Sequence, residues 1–595
     1  MRDTKSEFYC SQRLILTISS VIRLFLLLLP LLKGAYASDI NITDCFVKFR
    51  NNANLTLDAS GLVNGNGGNV PSSGIMNAVG FTYETCLSQC GSGTQNPTWA
   101  NISQQFGAWL LPYLALISQL PFGARHRVDN LMSAILIVGS PVLAGYSMIL
   151  TILNANWISR QFDNLSFPNT KSAVRILISL QQSPLRISNE HSLLSSLVVL
   201  PDNDDWWPYT ADFLDYTHTW SIASVTTIGW VIVAYLLTVA SSLSDVPSNI
   251  NSNGQGTGSV WLWLIPIVIG WLQLSPKCDY ARVRKAMDNA DAMAFVATDD
   301  SDGVIKASDL SEKRAVSIDT NIENPSSPDE MLTPPIYNYA RAILWSRSAE
   351  DVFDAFRIAS NNAKIHKPVT MGATWKNVNR RDFIDPSNRK GNASEVNAYC
   401  RLPRYPGRSP WATGMFSRMF VASLLPLALQ WATTGAAVLV VYFTPTVGLG
   451  CRSLGYLIYG ALATIIWAML VMSSILSHYA SSYSDRPRSP FSSVAVRLVK
   501  AVSNLLRWGG KLVAIVNAIW IIAAGMLQFT SVYDNCYCNS SVLGRGAQYA
   551  YDIIVFDSLD LSQTKAAWFG ALALAGSTSL GFIFYMSLLT DLVPI

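Results

Sequence analysis

Charge is scarce in this chain. Only 14% of its 595 residues are Asp, Glu, Lys or Arg, while 50% are hydrophobic; a soluble domain carries about a quarter charged residues. That balance excludes a water-soluble globule and fits a polytopic membrane protein. Histidine is scarcer still, at five residues, and the nine cysteines are scattered. With no Cys-x-x-Cys pair, no His-Glu-x-x-His and no His-rich tract, no metal site is expected. Gly-rich phosphate loops and nucleophile motifs are missing too, so no cofactor is expected. Basic residues form no block interleaved with aromatics, and the net charge is only +4. Nucleic acid is therefore not an expected partner, whereas membrane lipid is.

Long apolar runs are what the chain has in abundance. Met419–Tyr442 and Leu454–Leu476 contain no Asp, Glu, Lys or Arg, and each can cross a bilayer core of about 30 Å as a helix. A Pro/Gly turn joins them. Within the first, Gln430–Ala437 gathers small and hydroxyl side chains of the kind that let helices pack closely. The hairpin 418–479 is expected to be the packing centre of a bundle. Further spans are expected at Leu131–Leu153, kinked at Gly139-Ser140-Pro141, and at Trp220–Ala240, Ser259–Leu274, Trp508–Phe529 and Ala566–Leu589. Ala108–Phe122 is apolar but short and interrupted by Pro112 and Pro121, so it either crosses or re-enters.

The chain begins with basic residues, an apolar stretch and Ala35-Tyr36-Ala37, the pattern of a cleaved signal peptide over 1–37; an uncleaved anchor is the alternative. Residues 38–106 then read as a glycosylated lumenal or extracellular segment, with sequons at Asn41, Asn54 and Asn101, and a further glycosylation site is expected far downstream at Asn539. Its Gly/Asn/Ser-rich part, 61–74, reads as a flexible loop. Residues 107–275 form a first membrane block and 411–595 a second, with four helices. Between them 276–410 is a long hydrophilic loop, disordered over 298–335 and helical beyond, where Ser348-x-x-Asp351 resembles a capping box.

Placing the basic loops 276–410 and 480–507 in the cytoplasm puts 443–453 and 531–565 on the lumenal side. Cys45, Cys86, Cys90, Cys451, Cys536 and Cys538 then share the oxidising compartment, an even set of disulfide candidates, with Cys278 and Cys400 left in the reducing one. Their pairing is open, although Cys536 and Cys538 are expected to bond outward. The fold class is thus an all-α polytopic membrane protein of seven or eight transmembrane helices. A small disulfide-linked lumenal cap and a long cytoplasmic loop complete it, in a membrane of the secretory pathway, either endoplasmic reticulum or plasma membrane.

Charged residues within the spans are nearly absent, which argues against a proton-coupled pump. Gln430, Thr433, Thr434, Asn517 and Gln528 read as hydrogen-bonding glue between helices. The most suggestive constellation precedes the span at Trp220. Asp212, Asp215 and His218 are spaced three apart as candidate catalytic groups, with Trp206, Trp207, Tyr216 and Trp220 as substrate-binding aromatics. Carboxylic acids at a membrane surface can serve as general acids, and aromatic faces stabilise cations, a pairing suited to acid-initiated rearrangement of a lipophilic substrate. An interfacial aromatic belt with a solvated acidic turn is the structural alternative. Asp552, Asp557 and Asp560, near the last span, read as structural.

The blocks QWATTGAAVLVVYFTPTVGLGCRSLGYLIYG (430–460) and ISQQFGAWLLPYLALISQLPFG (102–123) resemble multi-pass membrane proteins of filamentous fungi that begin with a secretory signal. That resemblance carries packing and turn residues and no active site. In outline the chain is also similar to membrane-embedded terpene cyclases of fungal meroterpenoid pathways, which act without metal on epoxidised prenyl chains. This second likeness implies a cofactor-independent cyclase or isomerase of specialised-metabolite biosynthesis acting on an isoprenoid-like intermediate. The competing reading is a non-enzymatic receptor-like or scaffold membrane protein; a channel is disfavoured by the lack of a charged ring or filter-like repeat.

Overall fold

Asn41 opens the first helix, its side-chain oxygen accepting the Asp44 amide at 3.2 Å, and α1 (Ile42–Thr56) ends where Leu57 turns left-handed. The structure, a computed structural model, describes residues 41–93, 110–124, 127–216, 220–244, 246, 257–299, 303–310, 312–318, 333, 336–377, 384–400, 411–484, 490–529 and 532–591. The expected signal at 1–37, Asn101 and His218 lie outside them.

After α1 the chain folds into a three-stranded antiparallel sheet. Strands Leu62–Val63 and Gly80–Thr82 pair with each other, and the second pairs with Tyr551–Ile553 from the far end of the sequence. Gly80 is required at that seam, since a Cβ there would come within 1.9 Å of the Asp552 carbonyl oxygen. Helix α2 (Tyr83–Cys90) follows, capped by the Thr82 hydroxyl. Residues 61–74, expected as a flexible loop, contain a strand and a turn in which Asn64 accepts the amides of Asn66 and Gly68. A small apolar core around Phe46, Leu62 and Phe81 holds this end together.

Among the described residues six helices are long and apolar enough to cross a membrane: Pro141–Phe162, Ile222–Ser244, Met415–Tyr442, Cys451–Ser482, Val494–Gln528 and Ser558–Asp591. The protein is a mostly helical multi-pass membrane protein. In chain order the bundle comprises α3 (Leu111–Ile117), α4 (Arg127–Gly139), α5 (Pro141–Phe162), α7 (Ile222–Ser244), α8 (Thr257–Trp261), α9 (Leu264–Leu274), α11 (Met415–Tyr442), α12 (Cys451–Ser484), α13 (Pro490–Phe529) and α14 (Ser558–Asp591). Two further helices, α6 (Trp206–Leu214) and α10 (Ala342–Lys364), belong to a second core.

The packing centre differs from expectation. Of the apolar window in α5, 89% is buried inside the protein, against 50% for α11, 39% for α12 and 17% for α14. The 418–479 hairpin is therefore a wall around α5. The expected span Leu131–Leu153 is also not one kinked helix. Ser140 is non-helical (φ −148°, ψ 87°), and α4 and α5 fold back beside each other. Tyr337 donates to the Ser133 carbonyl of α4 at 3.3 Å while its neighbour Asn338 donates to Thr151 of α5 at 2.9 Å. In a straight helix those two positions would be about 27 Å apart. At the tip of this hairpin the Val138 carbonyl accepts from Tyr459, the Gly139 carbonyl accepts from Asn517, and the Ser140 hydroxyl donates to the Ala463 carbonyl, all at 2.8–2.9 Å. Every break in a helix at membrane depth must be satisfied in this way.

The short stretch around α3 runs lengthwise along α8 and α9. Tyr113 donates to the Gly258 carbonyl at 2.9 Å and stacks on Trp261, while ten residues later the Gly123 carbonyl accepts from the Tyr280 amide.

At the other end the two hydrophilic segments, separated in sequence by α7–α9, fold as one body. Strand Arg186–Ile187 pairs with Val316–Ser317, and Trp345 of α10 donates its indole N–H to the Leu177 carbonyl at 2.9 Å. Arg389, almost wholly buried, forms a two-pronged ion pair with Asp204 at 2.7 Å and donates to the Val199 carbonyl at 2.8 Å. Residues 303–318, expected as disordered, supply strands here. Ser348 lies inside α10, which starts at Ala342, so it caps nothing.

Candidate functional site

Among the described residues the expected acids and the tryptophans of α6 stand in different surroundings. Asp212 and Asp215 are exposed, and Arg175 bridges both at 3.2 Å. Lys277 reaches Asp215 at 3.5 Å and also donates to the Tyr216 carbonyl. Tyr216 has its hydroxyl on the Asp279 amide at 2.8 Å, with the Lys277 and Arg282 cations each 5.3 Å from its ring. Burial pushes the Tyr216 phenol up and the Lys277 ammonium down, the latter opposed by Asp215. Trp206 and Trp207 point the other way, into the second core, where Trp207 donates to the Leu197 carbonyl at 2.9 Å. Trp220 is exposed at the foot of α7. Asp212 and Asp215 are thus held by cations on the surface, and Trp206 and Trp207 by packing in the second core.

A built cavity lies instead at the disulfide-linked end. All six disulfide candidates are paired there: Cys45 with Cys90, Cys86 with Cys536, and Cys451 with Cys538. Cys536 and Cys538 thus bond outward, one to α2 and the other to the first residue of α12. These links, with the seam strand Tyr551–Ile553, clamp the start of α1, the turn after α11 and the 532–557 segment around a volume of about 430 Å³. Among the described residues the two free thiols, Cys278 and Cys400, are buried at the opposite end of the molecule, and burial raises both, Cys278 to about 12.

Asp552 is the principal ionisable group of the cavity. Pairing of its strand with Gly80–Thr82 fixes its backbone, and Thr446, in the turn after α11, donates to its Oδ1 at 3.3 Å while accepting the Ile553 amide at 3.0 Å. Its Oδ2 is buried without a hydrogen-bond partner. Burial pushes the carboxyl up to about 7. The Thr446 hydrogen bond opposes this, the Asp534 carboxylate adds to it, and Arg452 and the Ile553 amide oppose it. Asp534 also lines the cavity, bound to Arg452 at 2.7 Å. Arg545 is turned away, over the Tyr551 ring at 3.9 Å.

Asn41 and Asn539, both sequon asparagines, line the same cavity, and Asn54 is exposed on α1. Sequence reasoning passed over Thr446, Arg452 and Asp534 and treated Asp552 as structural. No signal singled out Arg452, because Lys48, Arg50, Arg545 and Lys565 stand in the same expected lumenal segments. The contact between Thr446 and Asp552, 106 residues apart, had none.

Among the described residues no group of three or more His, Cys, Asp or Glu side chains could hold a metal ion. No family model, no curated protein and no solved structure matches this chain.

Proposed function

We propose that the protein is a receptor-like membrane protein that takes a ligand in the disulfide-clamped cavity and relays its occupancy to the folded body at the other end. The observation that carries this reading is the course of α11. At its outer end Val441, Thr444 and Thr446 line the cavity. At its inner end Arg418 is keyed into both the central hairpin and the second core. It donates to Asn154 of α5 at 2.8 Å and to Ser346 of α10 at 3.3 Å, with its guanidinium 4.2 Å from the Trp157 ring. One helix therefore touches ligand space and the far body, which is the physical continuity that coupling between ends requires.

In this reading the chain crosses seven times, by the α3 stretch, α7, α8–α9, α11, α12, α13 and α14, with α4–α5 as a re-entrant hairpin. This differs from the expected seven, in which Leu131–Leu153 crossed and Ala108–Phe122 did not. The three disulfides support a lumenal or extracellular position for the cavity, and the free thiols Cys278 and Cys400 support a cytoplasmic one for the second core. The cyclase reading gains no support from acids that lie ion-paired on the surface. Hydrogen exchange on the full-length protein in lipid nanodiscs, wild type against Asp552→Asn at one pH, tests the relay. Changed protection is expected both around 444–453 and in α10; a change confined to the cavity end would overturn it.

A further inference from the structure

We infer that the second body docks an acidic protein segment bearing apolar side chains, on the surface formed by residues 364–377 and Lys390 at the far end of α10. The inference adds a partner to the receptor-like reading above and rests on it only for the direction of the signal. Ile365 and Met371 are 71% and 79% exposed, more than any other large apolar side chain of that body among the described residues. Lys364, Lys367, Lys376 and Lys390, on the same stretches of chain, are exposed as well. His366 and Trp375 meet at 5.4 Å between ring centroids and widen the apolar centre. Exposed apolar side chains gathered within a basic surface mark an interaction site.

The backbone that carries them is fixed. Val369 is buried in the second core, and its amide donates to the Asn388 carbonyl at 3.0 Å. The Thr370 hydroxyl donates to the Lys390 carbonyl at 2.7 Å, and Glu395 accepts the Met371 amide at 2.9 Å. Asn388, itself buried, accepts the Lys376 amide at 2.9 Å and donates to the Lys376 carbonyl at 2.8 Å. A surface held in this way loses little freedom when a partner arrives, which favours binding.

Charge selects the occupant. Of the carboxylates built into the same loops, Asp385 accepts the Ser387 amide and hydroxyl, and Glu395 accepts the Met371 and Asn392 amides. Four exposed lysines therefore face outward against two acids already engaged by the fold, which complements an acidic partner.

Distance sets the chain's own bilayer aside. α10 starts within the bundle core at Ala342 and Ile343. It then runs out along the end of α5, with Trp345 against Trp157, Phe356 against Phe162, and Lys364 on the Asn164 carbonyl. Lys364 thus stands about 30 Å along the helix from the bundle core, whereas the headgroup layer is only about 5–8 Å deep on each side. Ser346, near the start of the same helix, accepts from Arg418, so α10 joins the coupling residue of α11 to the docking surface.

The test uses purified full-length protein in phosphatidylcholine nanodiscs and a fluorescein-labelled peptide of repeated Glu-Leu-Asp-Phe, read by anisotropy. Polyglutamate and the uncharged repeat Gln-Leu-Asn-Phe are the controls. The acidic apolar peptide is expected to bind, to weaken as salt is raised, and to protect amides of 364–377 from hydrogen exchange. Lys367→Glu with Lys376→Glu, and separately Ile365→Ser with Met371→Ser, are each expected to weaken it by about tenfold at an unchanged unfolding midpoint, because all four side chains are exposed. No binding, equal binding of either control, protection only elsewhere, or unchanged affinity in both variants would overturn the inference. Should a variant not fold, the two control peptides and the exchange map on the wild type decide. Phosphatidylserine vesicles that bind in place of the peptide, with the same sensitivity to the variants, would assign the surface to a membrane and overturn it too. So would peptide binding that appears only after deletion of 319–332, a stretch with Asp319, Glu323, Asp329, Glu330 and no basic residue, since the chain itself would then be the occupant. Peptide binding without far-end exchange changes in Asp552→Asn keeps the docking surface and removes the relay; the converse keeps the relay and removes the partner.

Discussion

At the residue scale the account turns on carboxylates and guanidiniums whose surroundings differ. Asp212 and Asp215 lie under Arg175 in water, and exposed pairs of this kind contribute about 0–1 kcal/mol. Asp552 is the opposite case. Its folded carboxyl sits near 7 and its unfolded one near 3.9, so between those values the folded state holds the extra proton. Stability contributed by the protonated form is present below about pH 4 and is lost as pH rises, by about 1.4 kcal/mol per pH unit until about 7. The unfolding midpoint of the ligand-free protein is therefore expected to fall from pH 5 to pH 8, and Asp552→Asn to flatten that slope. An unchanged slope in the variant would place the titration elsewhere. Arg389 gives a second case. Arg389→Met takes the cation from Asp204, which keeps only its Asn169 hydrogen bond, and the guanidinium donor from the Val199 carbonyl, a loss of about 1–3 kcal/mol measurable by denaturant unfolding of the full chain.

Sequence reading could name such acids but not rank them. Both clusters stand beside a span in the sequence, and only the fold decides which acid is buried. Asp552 is buried because Gly80, 472 positions earlier, lets its strand approach. Trp206 and Trp207 read as interfacial because they precede a span, yet they fill the core of a body whose other half is supplied by residues beyond 280.

At the element scale the long apolar runs were legible, since length and lack of charge are local properties. The turn at Gly139-Ser140-Pro141 was legible as a break but not as a reversal, because the groups that receive its tip, Tyr459, Ala463 and Asn517, lie on α12 and α13. Gln430, Asn517 and Gln528 do link helices: Gln430 donates to the Gly460 carbonyl at 2.8 Å, and Gln528 accepts from Tyr456. Two substitutions bear on the hairpin. In Gly139→Ala the new methyl meets the Ala514 carbonyl oxygen at 2.3 Å, and overpacking of that kind costs about 1–3 kcal/mol. Asn517→Leu strips donors from the Gly139 and Tyr459 carbonyls, at about 1–2 kcal/mol. Both are expected to lower the unfolding midpoint in detergent while leaving the three disulfides formed; a wild-type midpoint in both would mean the tip is not packed as described.

At the scale of the whole molecule two separately cored ends are joined by a bundle. Three disulfides sit at one end, the link from Cys86 to Cys536 spanning 450 residues, and two free buried thiols at the other. Composition separated the ends before any geometry was known, because cysteines and basic loops sort by compartment. It could not show that 158–216 and 283–400 fold together, since such pairing leaves no local trace. Sequons on both ends allow a direct test of this two-ended arrangement. Versions of the full chain retaining a single sequon each, at Asn41, Asn54, Asn164, Asn392 or Asn539, are expressed in a secretory host and treated with endoglycosidase. Endoglycosidase-sensitive mass shifts are expected for Asn41, Asn54 and Asn539 and none for Asn164 or Asn392, which belong to the second body; a glycan on either of those two would contradict the account.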